Sequence, residues 1–252
     1  MESYTSFAEV YDVFMDNVPY KEWAAYVNEI LKKHGIKEGT VLDLGCGTGS
    51  MTEELDDLGY EMIGVDLSDE MLEIAVQKME EKEREILYIS QDMRELELYS
   101  TVDAVVSACD SVNYILDMEE LTDVFRLVNE YLEPNGVFFF DFNTKHKYRD
   151  VIGDQTIAED RAECSFIWDN YYYEEECVNE YELTLFIQES EDASLYRKYQ
   201  ETHLQRGYTL EEMKAMIEAS GMIFEAAYDD YTGKSATGES ERICVVAREC
   251  GK

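Results

Sequence analysis

The strongest constraint on the fold of this chain is a glycine-rich turn that follows a short apolar run. Residues 41–44 read VLDL, and glycine then stands at Gly45, Gly47 and Gly49. Glycine adopts backbone angles that other residues avoid, and it has no side chain to keep a ligand from the peptide plane. From Ser50 the apolar residues have helical spacing. The segment predicts a buried strand, a ligand-binding loop and a helix whose N-terminus faces the ligand.

The spacing of these glycines separates two classes of nucleotide ligand. A dinucleotide fingerprint reads G-x-G-x-x-G, whereas here position 50 is serine and the third glycine comes one residue early. Asp43, just before the turn, would repel a pyrophosphate and attract a cation. S-adenosylmethionine (SAM) carries a sulfonium and an ammonium group and no phosphate, so the turn favours SAM over NAD. For the glycines alone, a tight turn without a ligand is the alternative.

Two further strands end in acidic residues. Residues 60–66 form an apolar run that ends in Asp66, about 20 residues beyond the first glycine, where α/β nucleotide folds place a carboxylate on ribose hydroxyls. Asp66 could instead cap the next helix, although Ser68 also serves that purpose. A third run, residues 86–89, is followed by Asp92 and Met93, an acid and a thioether that suit the amino group and face of an adenine.

In this order, the three segments resemble class I SAM-dependent methyltransferases. The matching residues are D-x-G-x-G-x-G from Asp43, GVDLS from Gly64 and QDMR from Gln91. Residues 7–12 and 19–23 are similar to the segment that closes over SAM in small-molecule N-methyltransferases, including those that act on nucleotide-linked amino sugars. The resemblance covers nearly the whole chain and implies a Rossmann-like α/β sheet with helices on both faces.

The resemblance also implies which residues bind the cofactor. Tyr11 and Tyr20 would contact it, Asp43 and the glycines would hold its methionine part, Asp66 its ribose, and Asp92 its adenine. The full set of expected cofactor-binding residues is Tyr11, Tyr20, Asp43, Gly45, Cys46, Gly47, Gly49, Asp66, Leu67, Asp92, Met93 and Cys109.

The second half of the chain changes its pattern. Strands and helices alternate up to about residue 142, which predicts a parallel sheet. Residues 163–205 alternate polar and apolar side chains and predict a three-stranded antiparallel insert. Helical periodicity then returns, and a C-terminal antiparallel hairpin completes the sheet. We therefore expect a SAM-binding core of residues 1–145 and 207–252, with residues 146–206 as a β insert that forms a substrate lid.

Composition limits the partners and the compartment. The chain has 57 acidic and 21 basic residues, a formal charge of -36, which makes nucleic acid an unlikely ligand because phosphate contacts require a basic surface. No apolar run approaches the ~20 residues that span a bilayer, and we expect a cytoplasmic protein. The cysteines lack C-x-x-C pairs and the histidines lack ligand spacing, so we predict reduced thiols and no metal.

The methyl acceptor is expected beyond the ends of the fourth and fifth strands. Asp110 and His203 are the candidate catalytic bases, although Asp110 could be a loop acid and His203 an ordinary strand residue. The candidate substrate contacts are Asn113, Tyr114 and Asn143. Asn113 could instead be a cap and Tyr114 a core residue.

The sequence therefore predicts a SAM-dependent methyltransferase that acts on a small molecule, with nitrogen slightly favoured over oxygen as the acceptor atom. One alternative is a tRNA or rRNA methyltransferase that works with a partner subunit. The other is a SAM-binding homologue without turnover. The tyrosine-rich insert suits an aromatic lid, and some of its rings could instead form a homodimer surface.

Overall fold

A computed structural model describes residues 7–189 and 192–252, so residues 1–6 of the expected core and 190–191 of the expected insert lie outside the described residues. The helices are α1 (Ala8–Phe14), α2 (Tyr20–Lys33), α3 (Ser50–Asp56), α4 (Asp69–Glu81), α5 (Met118–Tyr131) and α6 (Leu210–Ala219). The strands are β1 (Thr40–Leu44), β2 (Glu61–Asp66), β3 (Leu87–Ser90), β4 (Val102–Ser107), β5 (Leu132–Asn143), β6 (Gln155–Asp160), β7 (Cys164–Tyr173), β8 (Val178–Glu189), β9 (Asp192–Arg206), β10 (Ile223–Asp229) and β11 (Arg242–Arg248).

The first sheet has seven strands in the order β10-β11-β5-β4-β1-β2-β3. The five strands from β1 to β5 pair in parallel, and β11 pairs antiparallel with both β5 and β10. The predicted Rossmann-like sheet and its C-terminal antiparallel hairpin are confirmed. Parallel strands place their carboxyl ends along one edge, and the glycine turn after β1 lies on that edge.

Helices cover both faces of this sheet because its strands are apolar on both sides. Phe138 and Phe140 on β5 point to one face, where they join the buried residues of α5 and α6. Phe139 points to the other face and joins the buried residues of α2 and α3. All three rings are fully buried. This arrangement fixes the strand ends that carry the polar residues of the site.

The second sheet is antiparallel and has four strands in the order β6-β7-β8-β9, so the prediction of three strands was wrong. The missed strand, β6, is an edge strand that pairs only with β7 among the described residues. Its sequence, QTIAED, is mostly polar because one side of it faces solvent. Helix α1 lies against this second sheet, where Val10 and Phe14 pack with Leu183 and Leu185.

The described residues show neither a membrane-spanning helix nor a metal-binding cluster. In the two described ranges, every helix is too short or too polar to cross a bilayer. No group of three or more His, Cys, Asp or Glu side chains in those ranges is arranged to hold a metal ion. The six cysteines are all free thiols.

Candidate functional site

A cavity of about 530 Å³ opens at the carboxyl ends of β1 to β4. It is lined by nearly all the expected cofactor residues: Tyr11, Tyr20, Asp43, Gly45, Cys46, Gly47, Asp66, Leu67, Asp92, Met93 and Cys109. Gly49 is the exception, since it does not line the cavity. Residues from four strand ends and from α1 and α2 thus meet at one site, although they are far apart in the sequence.

The three glycines of the turn have different physical roles, although each has a positive φ angle. A Cβ atom built on Gly47 would meet nothing within 4 Å, so its open side faces the cavity. A Cβ atom on Gly45 would lie 2.6 Å from the Ser111 hydroxyl, and one on Gly49 would lie 2.4 Å from the Tyr88 hydroxyl. Gly47 therefore leaves space for a ligand, whereas Gly45 and Gly49 allow close packing of the turn.

Asp66, at the end of β2, is held by the backbone of two loops. Its carboxylate accepts hydrogen bonds from the N–H of Gly47 at 2.8 Å and of Ser68 at 2.9 Å. Burial raises the pKa of Asp66, and these backbone donors partly oppose that rise. Each carboxylate oxygen retains further acceptor capacity, as recognition of two ribose hydroxyls requires.

Asp43 is a buried carboxylate beneath the turn. It accepts a hydrogen bond of 2.6 Å from the Thr52 hydroxyl, and only 1% of its surface is exposed. Burial raises the pKa of Asp43 to about 7, against the lowering effect of the Thr52 hydrogen bond. A cation in the cavity would favour the ionised form.

The loop after β3 carries the expected adenine contacts. Asp92 begins a short 3₁₀ turn and accepts hydrogen bonds from the backbone N–H of Arg94 at 2.9 Å and from its Nε at 3.0 Å. The Arg94 guanidinium lowers the pKa of Asp92. The side chain of Asp92 is therefore already paired, a feature that the sequence did not indicate, and Met93 lines the cavity beside it.

The charges around the cavity match a cationic ligand. The charged residues of its lining are mostly acidic: Asp43, Asp66, Asp69, Glu70 and Asp92. Within the described ranges, Arg94 is the only lysine or arginine of the lining, and it is paired with Asp92. A pyrophosphate would lack a basic partner here, whereas the sulfonium and ammonium groups of SAM would be stabilised. These residues fit SAM.

Aromatic residues and a thiol close the other end of the cavity. Tyr11 from α1 and Tyr20 from α2 are hydrogen-bonded to each other, and burial raises the pKa of both phenols. The thiol of Cys109, after β4, lies 3.9 Å from the Tyr20 hydroxyl, and Tyr114 completes this wall. We refer to Tyr11, Tyr20, Cys109 and Tyr114 as the acceptor end, because the sequence predicts the methyl acceptor beyond the end of β4, where Cys109 and Tyr114 lie.

The two candidate bases lie behind this wall and not on it. Asp110 accepts hydrogen bonds from Arg242 and from Gln205, both at 2.7 Å. His203 is fully buried on β9, and its Nδ1 lies 3.1 Å from the Tyr114 hydroxyl. The cavity lining includes neither Asp110 nor His203.

Of the three candidate substrate residues, Tyr114 lines the cavity and the two asparagines do not. Asn113 donates to the backbone carbonyls of Asn143 at 2.9 Å and Arg206 at 2.7 Å, and it accepts from the Asn143 N–H at 2.9 Å. These bonds join the turn after β4 to β5 and β9. These bonds give the Asn113 side chain a structural role, whereas they involve only the backbone of Asn143, whose contact with substrate stays a prediction.

Two residues that shape the site, Thr48 and Asp141, received no individual role from the sequence. Thr48 donates a hydrogen bond of 2.6 Å to Asp12 on α1, which ties that helix to the glycine turn. Asp141 accepts from the backbone N–H groups of Cys109 at 3.0 Å and Asp110 at 2.7 Å. A buried acid within the apolar run FFFDF of β5 was the available signal for Asp141.

Comparisons with known proteins agree with this geometry. A methyltransferase domain family matches residues 41–136. The putative methyltransferase YqeM of Bacillus subtilis is 33% identical over 98% of this chain and 97% of its own length. The crystal structure of a SAM-dependent methyltransferase from Clostridium acetobutylicum is 28% identical, with a TM-score of 0.88 over 99% of this chain and 100% of that one.

A more distant relative has a named substrate. The dTDP-3-amino-3,4,6-trideoxy-alpha-D-glucopyranose N,N-dimethyltransferase of Streptomyces venezuelae is 30% identical over 52% of this chain and 54% of its own length. The fold, the acidic cavity at the glycine turn and the full-length relatives lead to one conclusion. The chain belongs to the class I SAM-dependent methyltransferases, and its cofactor is SAM.

Proposed function

We propose that the protein transfers the methyl group of SAM to an amine nitrogen of a small molecule. The observation that carries this proposal is the chemistry of the acceptor end, where tyrosine hydroxyls and the Cys109 thiol adjoin an acidic cavity. Such a surface accepts a neutral or cationic group and provides aromatic faces for it. In the described part of the lining, no basic residue lies at this end to hold a phosphate.

The site also suits the reaction itself. Methyl transfer is an in-line displacement at a carbon that the sulfonium already activates, so the protein must align the nucleophile and exclude water. Tyr11 on α1 and Tyr20 on α2 line the cavity. Helix α1 also packs on the second sheet through Val10 and Phe14. We assign residues 146–206 the role of a substrate lid and the remainder that of the SAM-binding core.

The relative that is named as an amino-sugar N,N-dimethyltransferase, 30% identical over 52% of this chain, supports nitrogen as the acceptor atom. The formal charge of -36 argues against RNA as the acceptor, since RNA binding depends on phosphate contacts. A small amine therefore satisfies both the charge of the protein and the chemistry of the cavity.

Two measurements test the proposal. Titration calorimetry with SAM should give a micromolar or lower Kd that Asp66→Ala abolishes, while Asp123→Ala, a change on the exposed face of α5, leaves the Kd unchanged. Methyl-tritiated SAM is then offered with a panel of phosphate-free amines, including the free amino sugar 3-amino-3,4,6-trideoxyglucose, and separately with bulk tRNA and rRNA. Label in an amine supports the proposal. Label only in RNA, or SAM binding without any transfer, contradicts it.

A further inference from the structure

A buried polar chain leads away from the acceptor end. Tyr114 is a residue of the cavity lining, and its hydroxyl lies 3.1 Å from Nδ1 of His203. Nε2 of the same ring lies 3.3 Å from a carboxylate oxygen of Glu201. The side chains of His203 and Glu201 are 0% and 3% exposed. The imidazole of His203 and the carboxylate of Glu201 thus lie in sequence behind Tyr114, which is the only one of the three that lines the cavity.

The neighbouring residues fix the geometry of this chain. The ring of His203 stacks on that of Tyr181, with 4.8 Å between their centroids and 7° between their planes. The Tyr181 hydroxyl lies 2.7 Å from the Tyr114 hydroxyl. The second oxygen of Glu201 accepts a hydrogen bond of 2.9 Å from the backbone N–H of Phe7. Each group is therefore held in one orientation, as a defined proton path requires.

We propose that Tyr114 removes the proton from the acceptor amine and passes its own proton to His203, while Glu201 is the positioning residue for the imidazole. This inference rests on the proposed function. The Glu201 carboxylate, 3.3 Å from Nε2, favours a proton on that nitrogen. Nδ1 then carries the lone pair that accepts the Tyr114 proton. His203, the candidate base, would then act through Tyr114, because it does not reach the cavity itself.

The proton and electron balance of the step is complete. The nitrogen lone pair forms the N–CH₃ bond as the S–CH₃ bond breaks, and the sulfur keeps that electron pair in S-adenosylhomocysteine (SAH). The proton leaves nitrogen for the Tyr114 oxygen, and the Tyr114 proton moves to Nδ1. The resulting imidazolium lies against the Glu201 carboxylate, which stabilises it. After the product leaves, the proton returns from Nδ1 to the Tyr114 oxygen, and the Tyr114 proton passes to water in the cavity.

The first test needs no acceptor. Two-bond ¹H–¹⁵N correlation spectra of the full chain with SAH report the tautomer of each of the three histidines, and His203→Gln assigns one set of signals to His203. We expect Nε2 to be protonated and Nδ1 to be unprotonated, and Tyr114→Phe to shift the Nδ1 resonance. A proton on Nδ1 in the wild type, or an unchanged Nδ1 resonance in Tyr114→Phe, would overturn the proposal.

The second test is kinetic, with the free amino sugar 3-amino-3,4,6-trideoxyglucose as the acceptor. Tyr114→Phe and His203→Gln should lower kcat about 100-fold or more, with KM and the SAM Kd within about twofold of wild type. Tyr60→Phe is the matched control, because its buried hydroxyl donates to Asn28 and lies outside this chain of residues. An unchanged kcat in Tyr114→Phe would contradict the proposed proton relay, in which Tyr114 takes the amine proton and passes its own to His203.

The two tests separate the relay from the proposed function. If the wild type binds SAM but leaves this acceptor unmethylated, the proposed function fails for that amine and the tautomer of His203 decides the relay. If the wild type methylates it and Tyr114→Phe does so at the same rate, the relay fails and the proposed function stands. Thermal unfolding of each variant shows whether a loss of kcat reflects a loss of folded protein.

Discussion

The guanidinium of Arg242 on β11 donates a hydrogen bond of 2.5 Å to the carboxylate of Asp141 on β5. Asp141 is fully buried, and it also accepts hydrogen bonds from the backbone of Cys109 and Asp110. Both of these residues have positive φ angles, of 57° and 53°. The pair therefore links the C-terminal hairpin to the strained turn that carries the thiol of the acceptor end.

Asp141→Asn should destabilise the protein strongly, because it removes the fully buried charged partner of Arg242, whose side chain is 16% exposed, and leaves Asp110 as the remaining carboxylate of the pair. Loss of one partner of a buried ion pair costs about 3–5 kcal/mol. Urea unfolding measures the change. The control is Asp123→Asn, since the carboxylate pairs on the surface with Arg126 and its loss should cost about 1 kcal/mol or less. Equal effects of the two changes would contradict the structural role of Asp141.

Gly47→Ala should weaken SAM binding, in addition to the loss of folding stability that it shares with the same substitution at other glycines of positive φ. The added methyl group would enter the space open to the ligand, and a tenfold or larger rise in the SAM Kd corresponds to about 1.4 kcal/mol. Gly59→Ala is the matched control, since Gly59 also has a positive φ angle and an open side but lies in the turn before β2.

Both glycine variants should lose about 1–2 kcal/mol of unfolding free energy through backbone strain. Titration calorimetry and urea unfolding separate the effect on binding from the effect on folding. An unchanged SAM Kd in Gly47→Ala would show that the ligand does not approach this peptide.

The cofactor half of the site could be predicted because its signals are local. The strand, the glycine turn and Asp66 lie close together in the sequence, and their order along the chain identifies the fold. The acceptor half depends on contacts between distant residues. Asp141 and Arg242 are 101 positions apart, and nothing in either segment indicates the other. The fold had to be known before their pairing could be seen.

The role of His203 shows a second limit of the sequence. In a strand, alternate residues face opposite sides, so the side to which His203 points depends on register. The structure buries Glu201, His203 and Gln205 together on one side of β9, whereas Leu204 is exposed. The sequence suggested a catalytic histidine but could not show that Tyr114 stands between it and the cavity. The polar strand β6 was missed for a similar reason, since it has no apolar face to detect.

SAM affinity should fall as the pH drops below about 7, because burial raises the pKa of Asp43 to about 7. The cationic cofactor favours the ionised carboxylate, so binding lowers this pKa and releases a proton wherever the free protein is protonated. Affinity is therefore highest above pH 7 and decreases as the pH falls through it, by up to about tenfold per pH unit.

Calorimetry in two buffers of different ionisation enthalpy measures the released proton directly. Asp43→Asn is the control, because its amide does not titrate, and its pH profile should be flatter than that of the wild type. Burial raises the pKa of Asp66 as well. We therefore attribute any pH dependence of SAM affinity that remains in Asp43→Asn to the titration of Asp66. A wild-type profile that is level between about pH 5.5 and 8 would contradict the prediction.

Asp12→Ala should accelerate SAM dissociation, because Asp12 holds α1 on the glycine turn. Its carboxylate accepts hydrogen bonds from Thr48 at 2.6 Å and from Lys78 on α4 at 3.0 Å, and the adjacent Tyr11 lines the cavity. The Asp12 side chain is 41% exposed, so its ion pair contributes little on its own, about 1 kcal/mol or less. We expect a rise of about threefold in the dissociation rate, with the association rate nearly unchanged.

Stopped-flow measurement of SAM release from the full chain checks this expectation. Asp16→Ala is the matched control, because Asp16 follows α1 and pairs with Arg161 near the second sheet, away from the glycine turn. If the contact of Asp12 with the glycine turn keeps α1 closed over the cofactor, only the Asp12 variant should release SAM faster. Equal rates in the two variants would mean that the contact of α1 with the second sheet, through Val10 and Phe14, is sufficient to keep the cofactor enclosed.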